Sequence, residues 1–319
     1  MDVGTASGRQ PQVAVLGTTS WDQFLVLDRP LTEGSGAIVV DRLEASGGTA
    51  ANLAVALARL GVPPLFVTTC GDDDLGRRLL DELHREGVLV HALPPRSGTP
   101  TDRCTILVTP GPERTILWTP GASLRLGDPL PLDRVFMCQI VVVDVEDAAL
   151  RQRLVDLPAH VAPRVQLVGP LTHLVDLQPD RATWLALQHD VIVGSDEELR
   201  AVTGCDEFEA ALTRLREMMP LGATRLAAIT RGRAGCVLLT RRQEIRVPAF
   251  EVAAVDPTGA GDAFAAGIVY GLLTRRSLPE VGRFANAMGA LATRAFGART
   301  SLPTHHEITA FLQEARPCA

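Results

Sequence analysis

The stretch Asp256-Pro257-Thr258-Gly259-Ala260-Gly261-Asp262 leads without a break into Ala263-Phe264-Ala265-Ala266-Gly267-Ile268-Val269, so a turn of nearly bare backbone opens a helix-length apolar pattern over 263–274. Gly259, Ala260 and Gly261 carry almost no side chain, and their amides can approach a ligand closely where the helix dipole favours an anion. Asp262 is badly placed if a phosphate merely rests there, because its carboxylate would repel it. A reaction removes the conflict: the carboxylate takes a proton from an incoming hydroxyl while the amides stabilise charge on a transferring phosphoryl group. The alternative is a glycine turn with an acidic residue in the first helical turn, a position the same dipole favours. The whole seven-residue string is far more specific than a bare GxGD.

Outward from this point the chain alternates. Apolar runs at 13–17, 65–69, 140–145, 164–168, 190–193 and 226–230 are separated by amphipathic, helix-length stretches at 49–60, 75–86, 148–157, 207–219, 263–274 and 280–295. That pattern predicts an α/β fold with a mainly parallel sheet and helices on both faces. Two segments interrupt it. Residues 36–43 and 103–119 read as extended chain with no following helix, the second as two strands joined around Gly111-Pro112-Glu113. They form either a small secondary sheet or an antiparallel edge of the main one. No repeat and no linker divides the chain, which gives one core with an inserted flap.

Composition narrows the chemistry. The 319 residues are 46% hydrophobic, enough for a large core, with a net charge of −6 and only 4% aromatic residues, which argues against a nucleic-acid surface or a base-stacking platform. Residues 1–12 are polar and small, and eighteen uninterrupted apolar residues occur nowhere, so a cytoplasmic protein with no membrane span is expected. The six cysteines, at 70, 104, 138, 205, 236 and 318, stand singly and read as free thiols. Lysine is absent, so all 31 basic residues are arginines. This removes the P-loop lysine, the protein-kinase strand lysine and Schiff-base chemistry. Nucleotide phosphates, if handled at all, must be held by backbone amides and arginine.

A second cluster, Ser46-Gly47-Gly48-Thr49-Ala50-Ala51-Asn52, precedes the helix pattern at 49–60. Two glycines permit close approach of a small ligand, and Asn52 can donate to and accept from hydroxyls. A Gly-Gly turn with a helix-face asparagine explains the same residues structurally.

Taken together, Gly47-Gly48-x-x-x-Asn52 and Asp256-x-Thr258-Gly259-Ala260-Gly261-Asp262 resemble the paired signatures of the ribokinase (PfkB) family of carbohydrate and nucleoside kinases. Between them, Gly71-Asp72-Asp73-x-x-Gly76, Ser195-x-x-Glu198 and Thr230-x-Gly232-x-x-Gly235 fall in the family's order, and the likeness runs from Val13 to Leu312. The resemblance implies a three-layer α/β/α sandwich with a small β-sheet lid, the core being residues 1–33, 46–98 and 121–319 and the lid 34–45 and 99–120. It implies Asp262 as catalytic base, with Gly259, Ala260 and Gly261 as the anion hole. Substrate hydroxyls would meet Asp22, Gly47, Gly48, Asn52 and Glu146. Ser195, Thr230, Gly232 and Gly235 would face the nucleotide phosphates, with Asn286 and the 295–298 segment, including Gly297, near the adenosine. ATP and Mg²⁺ would be used, Glu198 holding the metal through water. Many members bind a monovalent cation beside the anion hole, here K⁺, and the matching positions, mostly through carbonyls, are Asp256, Thr258, Ala292, Gly297 and Ser301.

Two departures stand out. Ser195 replaces the asparagine of the family's Asn-x-x-Glu, and Ser195-x-x-Glu198 is also a helix capping box. Ser20 replaces an asparagine that ribokinases proper carry two residues before the Asp22 position, which weakens ribose as the substrate. The expectation is phosphorylation of a sugar or sugar acid, a small molecule. The lid would exclude water from the reaction. Its residues Ile38, Val39, Val40, Ile106, Leu107 and Val108 would pair two lids in a homodimer or pack on the chain's own core. The alternatives are a nucleoside kinase, offered only Trp21 and Phe24 as aromatics near the substrate segments, and a catalytically silent sugar-binding protein on the same fold. A dinucleotide-dependent oxidoreductase is disfavoured because no GxGxxG follows the first strand.

Overall fold

A computed structural model describes residues 10–110, 114–157 and 165–315. The strands are β1 Val13–Gly17, β2 Ser20–Leu27, β3 Val39–Gly47, β4 Leu65–Thr68, β5 Leu89–Ala92, β6 Arg103–Val108, β7 Arg114–Thr119, β8 Ile140–Asp144, β9 Gln166–Pro170, β10 Val191–Ser195, β11 Leu226–Thr230, β12 Cys236–Leu239 and β13 Glu244–Val247. The helices are α1 Thr49–Arg59, α2 Asp74–Arg85, α3 Leu132–Val135, α4 Ala148–Asp156, α5 Pro179–Ala186, α6 Asp196–Thr203, α7 Phe208–Met218, α8 Ala260–Leu273, α9 Leu278–Ala292 and α10 His305–Glu314.

β1 lies inside a nine-stranded sheet of order β13-β12-β11-β10-β9-β8-β1-β4-β5. From β5 to β11 every neighbouring pair is parallel, and β12 and β13 close one edge antiparallel. The all-apolar strands follow from burial on both faces. Val13 and Val15 enter one core with α1, α8 and α9, while Ala14 and Leu16 enter the other with Val141, Val143 and Leu150. Ile140 and Val142 against Val141 and Val143 repeat the division, as a two-residue period requires. This is the expected three-layer sandwich. All the parallel strands therefore end on one side, where loops and helix N-termini gather.

The two interrupting segments form a separate four-stranded sheet of order β3-β2-β6-β7. It also recruits Ser20–Leu27, residues the sequence reading left in the core. Trp21, Gln23 and Leu25 alternate with Asp22, Phe24 and Val26, but polar and apolar residues occur on both faces, which hides the period. The Gly111-Pro112-Glu113 turn lies outside the described residues, as do Arg164, expected to begin a strand, and Cys318. The following strand starts at Gln166 and runs through Pro170. Ile106 is buried, whereas Ile38, Val39, Val40, Leu43, Ile116 and Leu117 are exposed. Among the described residues no helix is long and apolar enough to cross a membrane.

Candidate active site

The two glycine-rich segments enter the site as helix N-termini. Gly48, the N-cap of α1, has φ 92°, and a Cβ there would come within 2.7 Å of Thr19 Cα, so no other residue allows this approach. Gly259, the N-cap of α8, has φ 79°, and a Cβ would meet Ala298 O at 2.6 Å. α8 and α1 pack on the same face of the sheet. Gly261 and Asp262 lie in the first turn of α8, and no neighbour stands within 4 Å of where a Gly261 Cβ would be. The amide end of this helix is thus open on that side.

Asn52 joins the two segments across 210 residues, its Nδ2 donating to Asp262 Oδ2 at 2.7 Å. Its amide orientation is fixed by chemistry, since an ionised carboxylate only accepts and a guanidinium only donates. The guanidinium is that of Arg299, whose Nε donates to Asn52 Oδ1 at 2.8 Å. Arg299 Nη2 also donates to Gly47 O at 2.6 Å and, at 3.5 Å, to Thr19 Oγ1. Arg59 holds this segment from behind, donating to the carbonyls of Arg299 and Leu302 while paired with Glu86. Burial pushes the Arg299 guanidinium down to about 10, opposed by the charges of Asp22, Glu82, Glu86 and Asp262.

Asp262 is raised to about 7. Burial is the main cause, the Asn52 hydrogen bond opposes it, and the charges of Asp144, Glu198 and Asp22 add to it. Asp22 is buried and likewise raised, by desolvation first, against the hydrogen bond from Ser20 Oγ at 2.7 Å and the charge of Arg299. Asp144, at the end of β8, is fully buried, with no hydrogen-bond partner for either oxygen and His173 Nε2 at 3.5 Å. Glu146 is partly exposed beyond it.

Asp262 and Gly261 line a cavity of about 280 Å³ whose other walls include Thr49, Gly194, Ser195, Glu198 and Thr230. Asp262 and Gly261 therefore share one space with Ser195 and Thr230, expected at the phosphates, and with Glu198, whereas Asp22, Gly47, Gly48, Asn52 and Glu146, expected at the acceptor, do not line it. Ser195 and Glu198 form a reciprocal capping box at the start of α6, Ser195 N to Glu198 Oε2 at 2.7 Å and Glu198 N to Ser195 Oγ at 3.1 Å. Gly232 and Gly235 bracket the turn between β11 and β12, both at positive φ. Asn286 is buried, and its Nδ2 donates to the carbonyls of Val247 and Pro248 at 3.0 and 2.9 Å. Gly297 N donates to Asp256 Oδ2 at 2.8 Å.

Several of the cation positions bond to one another. Asp256 Oδ1 accepts from Thr258 N at 2.7 Å and from Arg114 of the small sheet, which also donates to Thr258 Oγ1. Ser301 Oγ donates to Ala292 O at 2.7 Å.

Sequence reading did not single out Arg299, Arg114, Asp144, His173 or Trp118. In a chain without lysine an arginine carries no compositional signal, and burial is what sets Arg299 apart. Trp118 lies on the rung Asp22–Cys104–Trp118, so it shares the face of Asp22. Its Nε1 donates to Asp102 at 2.9 Å, and it remains 45% exposed. Trp21 and Phe24, the aromatics the sequence offered, are buried.

Comparison with known proteins gives the family and the fold. Residues 10–305 match the profile of the pfkB family carbohydrate kinases. A probable fructokinase-4 of Arabidopsis thaliana is 31% identical over 295 residues, 85% of this chain and 88% of that one. An ATP-dependent ribose-1-phosphate kinase of Halopiger xanaduensis is 31% identical over 310 residues, covering 95% and 98%. In fold, Arabidopsis thaliana ribokinase complexed with ribose and ATP superposes with a TM-score of 0.79 at 23% identity, covering 96% of this chain and 99% of that one.

Proposed function

Because the chain belongs to the pfkB family of carbohydrate kinases, we propose that it moves the γ-phosphoryl group of ATP to a hydroxyl of a sugar or sugar acid, with Asp262 as the base. The observation that carries this reading is the contact of Asn52 with Asp262, which lines one cavity together with Ser195, Glu198 and Thr230. Asp22, Gly47, Gly48, Asn52 and Glu146 bind the acceptor and aim its hydroxyl. Asp262 takes the proton as the new O–P bond forms, and the amides of Gly259, Ala260 and Gly261 stabilise charge on the phosphoryl oxygens. A carboxyl near 7 is well matched to this work, since proton transfer is most effective when the base titrates close to the working pH.

Ser195, Thr230, Gly232, Gly235, Asn286 and Gly297 form the nucleotide side. Mg²⁺ suits hard oxygen ligands, and Glu198, on the wall it shares with Asp262, would hold it through water. When bound, the ion neutralises phosphate charge. The small sheet, 34–45 and 99–120 with Ser20–Leu27 added, acts as a lid that excludes water. Its exposed Ile38, Val39, Val40 and Leu43 fit a second copy of the lid.

A nucleoside acceptor is the second reading, favoured by Trp118. Its partly exposed indole, anchored by Asp102 on the face of Asp22, offers a flat ring a stacking surface. ADP release with ribose, fructose, 2-keto-3-deoxygluconate, adenosine and inosine tests both. Turnover on a sugar supports the first reading, turnover on the nucleosides alone the second, and no turnover on any of the five with sugar binding intact overturns both.

A further inference from the structure

Alternation along β7 puts Arg114, Ile116 and Trp118 on one face, the face that carries Asp22 through the rung Asp22–Cys104–Trp118. From that face the Arg114 guanidinium reaches Asp256 and Thr258, 142 and 144 residues away. Asp256 is completely buried and the Arg114 side chain 14% exposed. The buried Asp256 carboxylate thus meets a tethered positive charge on the same oxygen that accepts from Thr258 N.

This bears on the monovalent cation that the sequence resemblance implies. Its oxygens would have to come from Asp256, Thr258, Ala292, Gly297 and Ser301. Both Asp256 oxygens already accept protein donors, Thr258 Oγ1 accepts from Arg114, and the Ala292 carbonyl accepts from Ser301. A free cation does not fit beside a guanidinium on the same carboxylate, because both carry the same charge and compete for the same oxygens. We propose that Arg114 is a built-in replacement for a free monovalent cation at the Asp256–Thr258 site, delivered to the foot of the anion cradle by the small sheet that carries it. Thr258 immediately precedes Gly259 and Asp256 stands three residues before it, so the charge arrives beside the amides that receive the phosphoryl group only when that sheet is closed on the core. This last consequence rests on the kinase reading; the occupancy of the cation site does not.

The experiment uses the full chain in KCl, NaCl, LiCl and choline chloride at equal ionic strength, with thermal unfolding as the first readout and ADP release as the second. The wild-type midpoint and rate are expected to be the same in KCl and LiCl, within about 1 °C and about twofold. Arg114→Gln is expected to acquire a saturable rise in unfolding midpoint with K⁺ that Li⁺ and choline do not give. Arg114→Lys, which keeps a tethered charge, stays independent of the ion. A wild-type chain stabilised by K⁺ over Li⁺, or activated tenfold by it, overturns the proposal without any variant. So does an Arg114→Gln chain whose unfolding ignores the ion. Absence of turnover on all five acceptors, sugars and nucleosides alike, with ion-independent unfolding of the wild type and the K⁺ response of Arg114→Gln, would defeat the kinase reading and leave this one standing.

Discussion

The two halves of the site are built differently. On the proposed acceptor side the distinctive residues meet side chain to side chain: Arg299 donates to Asn52, and Asn52 donates to Asp262. On the nucleotide side the corresponding residues are engaged with the backbone around them. Asn286 holds Val247 and Pro248, Ser195 and Glu198 cap α6, and Gly235 stands where a Cβ would come within 2.0 Å of Val247 O. One half is a network of charge and hydrogen bonds, the other a shape. Substitutions in the first should therefore act on chemistry, and substitutions in the second on folding, with nucleotide affinity following from the shape.

The largest expected effect is Asp262→Asn, which should lower kcat by about 10²–10⁴-fold while ATP affinity stays within a few-fold. Isothermal titration with ATP and a steady-state assay separate the two, and near-normal turnover would remove Asp262 from its role. The same residue gives a pH test. With a base near 7, kcat/KM should fall about tenfold per pH unit below 6 and level off above 8. Stability moves in the opposite sense. An Asp whose folded pKa is raised contributes stability fully present below its unfolded value near 4, and lost as pH rises through about 7. Asp262→Asn has no such charge to bury, so its unfolding midpoint should gain on the wild type from pH 5 to pH 8.

Arg299→Met sharpens the comparison at the next size. It leaves Asn52 Oδ1 without its donor and Gly47 O with the Thr19 hydroxyl at 3.2 Å, at about 2 kcal/mol of stability, and frees the Asn52 amide to turn away from Asp262. The expected loss in kcat/KM is about 10- to 100-fold, on the order of 1.4–2.8 kcal/mol of transition-state stabilisation. The loss should fall mainly on kcat, and Arg299→Lys should restore part of it. A loss confined to KM for the acceptor would make Arg299 a ligand for substrate instead of a support for Asn52.

What the sequence showed and what it hid divide along the same line. The sandwich was legible because strands buried on both faces are apolar, as in Val13–Gly17 and residues 226–229, and because glycines before helices mark two turns. Asn52 and Asp262 stand out because each follows a nearly bare backbone at a helix start. Ser20–Leu27 escaped notice because a strand that carries site residues on one face and packing residues on both has no clean alternation. Arg299 and Arg114 were invisible for a different reason. A buried arginine differs from a surface one only by its neighbours, and those neighbours lie 247 and 142 residues away.

The smaller effects probe the other half. Asn286→Ala removes two hydrogen bonds to the end of β13 and should cost about 1–2 kcal/mol in urea unfolding, with kcat at saturating ATP unchanged. Ser195→Ala is the finest test. Its hydroxyl accepts from Glu198 N and its amide donates to Glu198 Oε2, so its loss removes half of the capping box and about 1 kcal/mol. Ser195 also lines the cavity, where the family's asparagine would reach toward phosphate. If the nucleotide side works as shape, the variant should lose stability while KM for ATP rises no more than about threefold, near 0.6 kcal/mol of binding. A tenfold rise in KM with an unchanged unfolding midpoint would reverse the assignment: the Ser195 hydroxyl would be a phosphate ligand, and the contrast between the two halves would fail at the residue where this chain departs from its family.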